Sequence, residues 1–232
     1  MVLSCDIGSY DAEIAPQMFR FLREPEHSAA ISEGCVWLST LSACRAYEAE
    51  GQGDAGEAIH EYDTGQLSGD GDDAEFRRRA AIRGVKVHPG AESIVIWHNN
   101  YTSTLVDAYV LCLTEQDSPE NRATFGQHGV RVRPPTDALI AISEALGAHY
   151  DVTTAMIGRI HYRPRGSQGD ERSPGPLGFV KPTIPFAPQR EWRMLWTVAP
   201  RHSYIPFLLD CPALKPFCAP IVDSEAPERG TD

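Results

Sequence analysis

Polar and apolar residues alternate over 191–198, with Leu195 the one apolar residue at a polar place. A strand there turns Glu191, Arg193, Leu195 and Thr197 to one face and Trp192, Met194, Trp196 and Val198 to the other. The second set reads as core. The first opens with a carboxylate and a guanidinium two residues apart, with Gln189 just ahead of them in a proline turn. The same period gives a short strand within 14–23 that carries Arg20 inward, and strands over 35–40, 85–88, 93–98, 129–133 and 152–162. Residues 108–113 are apolar throughout, which places them at the centre of the sheet. Helical spacing and stop signals predict helices over 27–33 with Gly34 as the stop, from Ser42 as N-cap to residue 50, over 72–82, and over 136–146. Residues 164–178, rich in Pro, Gly and Ser, read as a flexible excursion.

Composition narrows the class. Eighteen prolines and nineteen glycines in 232 residues argue against an all-helical bundle, while 42% hydrophobic residues are enough for a packed core. The expected fold is α+β: one globular domain over 1–222 with a mostly antiparallel twisted sheet and a few short helices, then a disordered acidic tail over 223–232. A formal charge of −11 repels phosphate backbones, so nonspecific nucleic-acid binding is not expected. The chain opens without a basic stretch followed by an apolar run, and no run of about eighteen apolar residues occurs, so a cytoplasmic protein without a membrane span is expected. Six cysteines without a C-x-x-C pair read as reduced thiols, and no metal is expected.

Several local patterns carry less than they promise. On a helix, Glu57, His60 and Glu61 would share a face at metal-ligand spacing, but the neighbouring glycines disfavour that helix and a solvated acidic loop is expected. The G-Q-G-D-A-G run at 51–56 follows a helical pattern rather than a strand, so it is not a phosphate loop. Arg77, Arg78 and Arg79 on one helix point about 100° apart and form no common face. No G-x-S-x-G elbow supports a serine hydrolase.

One order of features does point to chemistry. A strand with Arg20, a helix stopped by glycine, a strand ending in Ser39-Thr40 and a late strand led by Gln189-x-Glu191 resemble the arginine-serine-glutamate class of mono-ADP-ribosyltransferases. Leu41 stands in the third place of that family's Ser-Thr-Ser triplet. The resemblance implies an NAD-consuming enzyme: a toxin, a defence protein or a phage protein that modifies its host. It makes Glu191 the catalytic carboxylate and turns Gln189 to the acceptor, a protein or a nucleic acid. Arg20 would hold a phosphate or ribose of NAD, and Ser39 or Thr40 would steady the carboxylate. On that reading Glu191→Gln abolishes turnover and leaves the fold intact. A broader resemblance, to a large uncharacterised bacterial and phage family, runs through Gly34, Asp54 with Glu57, residues 110–114, Lys181, and Glu191 with Arg193. It implies a shared fold rather than an activity. The alternative is a non-catalytic interaction protein that binds a host factor through its acidic surface, with Glu191 merely paired to a neighbouring arginine. The two differ over whether Arg20, Ser39 and Glu191 meet in space.

Overall fold

The computed structural model describes residues 6–11, 13–47, 53–199 and 203–221. Strands β1 (Asp6–Ser9) and β2 (Met18–Leu22) lead to helix α1 (Pro25–Ser32), which opens on a proline whose missing N–H is not needed there. Gly34 ends that turn at φ +87, and a Cβ on it would lie 2.7 Å from the Cys211 carbonyl oxygen, so both conformation and space require glycine. Next come β3 (Cys35–Thr40), α2 (Leu41–Ala46), β4 (Ile59–Asp63), β5 (Leu67–Gly69) and α3 (Ala74–Ile82). They are followed by β6 (Ile94–Ile96), β7 (Asn100–Thr104), β8 (Tyr109–Thr114), α4 (Pro119–Phe125), β9 (His128–Val132) and α5 (Pro135–Gly147). The remaining strands are β10 (Val152–Arg159), β11 (His161–Tyr162), β12 (Gly166–Gln168), β13 (Val180–Lys181), β14 (Glu191–Val198), β15 (Phe207–Asp210) and β16 (Cys218–Pro220).

Nine strands form the main sheet in the order β1-β10-β14-β8-β2-β9-β16, with β3 also on β8 and β15 on β3. The β1–β10 pair is parallel and the other pairs of this sheet are antiparallel, so the fold is the expected single α+β domain. The apolar run of β8 lies inside the sheet, as predicted, and β14 shows the predicted alternation. Trp192, Met194 and Trp196 are fully buried with Leu139, Ile142 and Leu146 of α5. The Trp196 indole N–H donates to Ser143 Oγ at 2.8 Å, and that hydroxyl donates in turn to the Leu139 carbonyl at 2.6 Å. A polar residue in the middle of α5 is thereby accounted for, because a buried indole N–H needs an acceptor. On the other face, Val110 and Leu195 pack in a smaller cluster with Leu41, Ala58, Ile160 and Phe179.

Local differences from the sequence reading have physical causes. Helix α2 is capped by Thr40, whose Oγ1 accepts from the Ala43 N–H at 3.0 Å, and not by Ser42. Residues 85–88 alternate in the sequence but form no strand. Residues 59–63 form β4, so His60 is buried while Glu61, its neighbour on the strand, is exposed, and the helical face assumed for a metal site does not exist. Among the described residues no group of three or more candidate ligands gathers. The three arginines diverge as expected: Arg77 bonds the Gly71 carbonyl, Arg78 bonds Glu75 and Arg79 bonds Asp170. No described helix is long and apolar enough to cross a membrane. The expected tail at 223–232 and the end of the helix expected to reach residue 50 lie outside the described residues.

The segment 164–178 has seven exposed residues of fifteen, yet it is tied down. Its β12 pairs with β4 in parallel, Arg165 pairs with Asp54, and Asp170 accepts from Arg79 Nε and from the buried Arg83 Nη1, each at 2.6 Å. Asp170→Ala is therefore expected to loosen the segment and to speed tryptic cleavage after Arg165 or Arg172. Unchanged cleavage kinetics would show that β12 pairing alone holds the segment.

Candidate active site

The site is created by a fork in the main sheet. Along one edge of β8, Tyr109 and Val110 pair with Thr40 and Ser39 of β3, while Thr114 pairs with Phe19 of β2. Between these contacts β2 and β3 leave β8 in different directions, so the backbone around Cys112 has no strand partner on that side. Arg20 fills the gap: its Nη1 donates to the Cys112 carbonyl at 2.5 Å, which satisfies an oxygen that the fork would otherwise leave unpaired. Its Nε is buried and has no acceptor. Above the fork opens a cleft of about 600 Å³, whose lining includes Arg20, Ser39, Gln189 and Glu191 together with Lys181, Cys44 and Cys112. The sequence-predicted residues thus meet on one concavity, with one exception. Thr40 is 1% exposed, spends its hydroxyl on capping α2, and has no place on the cleft.

The entry to β14 sets the position of Glu191. A 3-10 turn at Ala187–Gln189 is followed by Arg190 in the left-handed region at φ 45, which reverses the chain. Thr114 Oγ1 donates to the Gln189 carbonyl at 2.7 Å and accepts from Asn121 Nδ2 at 3.2 Å, so the turn is fixed from β8 and α4. The Glu191 N–H then donates to the Tyr162 hydroxyl at 2.7 Å.

Glu191 belongs to a buried network of four charges. Lys181 Nζ donates to Glu191 Oε2 at 2.6 Å, and Arg193 Nε and Nη2 donate to Oε1 at 3.1 and 2.8 Å. Arg193 Nη1 and Nη2 also donate to the two oxygens of Glu57 at 2.8 and 3.1 Å, and Nη1 donates to the Gly178 carbonyl at 2.7 Å. All five guanidinium N–H groups are used, and two cations balance two carboxylates. Gly178 holds its carbonyl there at φ +82, in space where a Cβ would meet Leu195 Cδ1 at 2.8 Å. Exposure is 0% for Arg193 and Glu57, 4% for Glu191 and 5% for Lys181, so these charges interact in low dielectric rather than in water.

Burial alone would raise the pKa of the Glu191 carboxyl. The charges of Arg193 and Lys181, with the Lys181 bond and a weaker one from the Cys112 thiol, outweigh it and bring the value to about 2. The Lys181 ammonium is held above its usual value, because attraction to Glu191 and Glu57 outweighs burial and the Arg193 charge. Burial pushes the Cys112 thiol up to about 12 and raises Cys44 as well. Two chemical roles are thereby excluded at neutral pH: Glu191 carries no proton to exchange, and neither cleft cysteine is a thiolate nucleophile. What the carboxylate offers is fixed negative charge and hydrogen-bond acceptance. Three of its roughly four acceptor positions are filled by Lys181 and Arg193, and the last faces the thiol, a weak donor that a sugar hydroxyl outcompetes.

Neither Ser39 nor Thr40 steadies Glu191. Ser39 pairs with Val110 and Glu191 with Thr114, on opposite sides of β8 and four residues apart along it. Lys181 and Arg193 have that role. Glu57, expected as part of a solvated loop, is instead a fully buried member of the network, 136 positions from its arginine. Comparison with family models, with curated proteins and with solved structures gives no match.

Proposed function

We propose that the cleft binds NAD and that the chain transfers ADP-ribose from it to a protein or nucleic-acid acceptor. The observation that carries this reading is the meeting of Arg20, Ser39, Gln189 and an ionised Glu191 on one cleft, whose volume falls within the roughly 300–1,000 Å³ usual for small-molecule sites. In the reaction the bond between ribose C1′ and the nicotinamide nitrogen breaks, and its electron pair leaves with neutral nicotinamide. The sugar takes on oxocarbenium character until an acceptor heteroatom, or water, adds to C1′ and releases a proton.

The four-charge network is neutral overall, so its field falls off quickly and only a group in contact with Glu191 experiences the carboxylate. A ribose hydroxyl bonded to Oε2 is such a group, and it relays the negative charge to the sugar as the positive charge develops. Arg20 lines the cleft and offers its guanidinium charge to a phosphate there, and Gln189 stands at the entry to β14, where an acceptor would approach. The competing reading, a non-catalytic protein that binds its partner through an acidic surface, draws on the closure of the network: its members satisfy one another without a ligand.

The test is nicotinamide release from NAD by the purified chain, alone and with cell lysate as a source of acceptors. Release is expected, and Arg20→Gln is expected to raise KM by roughly tenfold or more through loss of a charge-assisted phosphate bond. No release under either condition would decide for the non-catalytic protein.

A further inference from the structure

Trp37 is a large apolar side chain left half outside a well-paired strand. In β3 it shares a face with Ser39, two residues away, while Val36 and Leu38 turn into the core. It is 52% exposed, and its cross-strand neighbour Leu208 is 56% exposed, so about half of the side chain is open to solvent. Trp37 also lines the cleft, together with Tyr47, itself 50% exposed, and Pro206. Arg20 and Arg23 line the same cleft, so flat apolar rings and cations occur in one concavity. An anion linked to a planar heterocycle has the matching chemistry, because any base presents a π-face to an indole while arginines take its phosphate.

We propose that Trp37, with Tyr47 beside it, is a stacking platform for the adenine of a nucleotide. This inference rests on the NAD reading for its choice of half. Glu191 lies at the buried end, where the nicotinamide ribose must be for glycosidic cleavage, so the other end of an extended dinucleotide lies towards the exposed rings. Trp37 is then a specificity-determining residue: it selects for a ligand that carries a base at the far end from the reacting sugar, and it does no chemistry. Because its ring is already exposed, removing it takes little from the core, and its contribution appears in ligand affinity rather than in folding.

The experiment is titration of the full chain with AMP, nicotinamide mononucleotide and NAD. Tryptophan fluorescence and calorimetry are followed for wild type, Trp37→Ala, Trp37→Phe and Trp97→Phe, the last replacing an indole that is 71% exposed and lies outside the cleft lining. AMP is expected to quench wild type and Trp97→Phe alike. Trp37→Ala is expected to bind AMP and NAD roughly 5- to 150-fold more weakly, as for loss of one base–aromatic stack, with nicotinamide mononucleotide binding unchanged, and Trp37→Phe should restore most of the affinity. The melting temperature of Trp37→Ala should match that of wild type. Failure of wild type to bind AMP, or equal AMP affinity in wild type and Trp37→Ala, would overturn the platform. Nicotinamide release with the same KM in wild type and Trp37→Ala overturns the platform and leaves the transfer reading standing. AMP bound through Trp37 without any nicotinamide release leaves the platform and removes the transferase.

Discussion

Glu191→Gln is expected to lower stability by about 3–5 kcal/mol as well as to abolish turnover, although the two side chains are nearly isosteric. The structure changes the expectation of an intact fold, because the carboxylate is the charge partner of two buried cations. Without it Lys181 and Arg193 share Glu57 alone, and removing one member of a buried ion network leaves an uncompensated charge in low dielectric. The melting temperature should fall by roughly 10 °C. The acid limb gives an independent reading. The folded carboxyl has a pKa of about 2 against an ordinary 4.5, so its contribution is fully present above about pH 4.5 and is lost as pH falls towards 2. The difference amounts to about 3 kcal/mol. Urea unfolding of wild type between pH 6 and pH 2 should show this loss, and Glu191→Gln should lack it. Identical acid limbs would mean that the carboxylate has no special partner in the folded state. The turnover assay must be run at a temperature where the variant is folded by circular dichroism. There the loss should be about 10²-fold or more in kcat, with NAD affinity retained.

Arg193→Met should be as damaging or more so. The guanidinium hydrogen-bonds both carboxylates, and its fifth N–H holds the Gly178 carbonyl. Its removal leaves Glu57 and Glu191 sharing Lys181, whose Nζ is 2.6 Å from Glu191 but 3.9 Å from Glu57. A loss of about 3–5 kcal/mol is expected, with an unchanged urea m-value. Adding Glu57→Gln should recover part of it, because that second change removes the stranded charge. If the double variant lost the sum of the two single effects, Glu57 and Arg193 would be acting independently, contrary to the geometry.

What could be read from the sequence follows from the range of the forces involved. The strands β3 and β14 were legible because successive residues turn to opposite faces, β8 because its apolar run is continuous, and α5 because its apolar positions recur at helical spacing. Thr40 was misassigned: its hydroxyl had two uses, a ligand contact or a helix cap, and the choice depended on where α2 starts. The exposed strand β7, Asn-Tyr-Thr-Ser-Thr, carries no apolar alternation, so only its pairing with β4 defines it. Residues 85–88 show the converse, alternation without a strand: Val85 and Val87 pack against Leu67, Phe76 and Ala80 instead. Glu57 was illegible for a different reason. An acidic residue beside glycines is usually solvated, and its burial is decided by a guanidinium more than a hundred residues away. The cleft was legible as a set of residues and not as a shape, since the fork between β2 and β3 exists only in three dimensions.

The position of β14 between β8 and β10 has a consequence for the growing chain. Synthesis delivers both neighbours first, and each must wait with an edge unpaired until residues 191–198 arrive. That strand brings Glu191 and Arg193, so until then Glu57, made more than a hundred residues earlier, has only the more distant Lys181, at 3.9 Å, to meet and not its hydrogen-bonding arginine. A nascent chain that ends anywhere before β14 therefore lacks the middle of its sheet and the floor of its cleft. Closure of the sheet and assembly of the charge network are one late event, and the non-local pairing it requires makes that event a slow one.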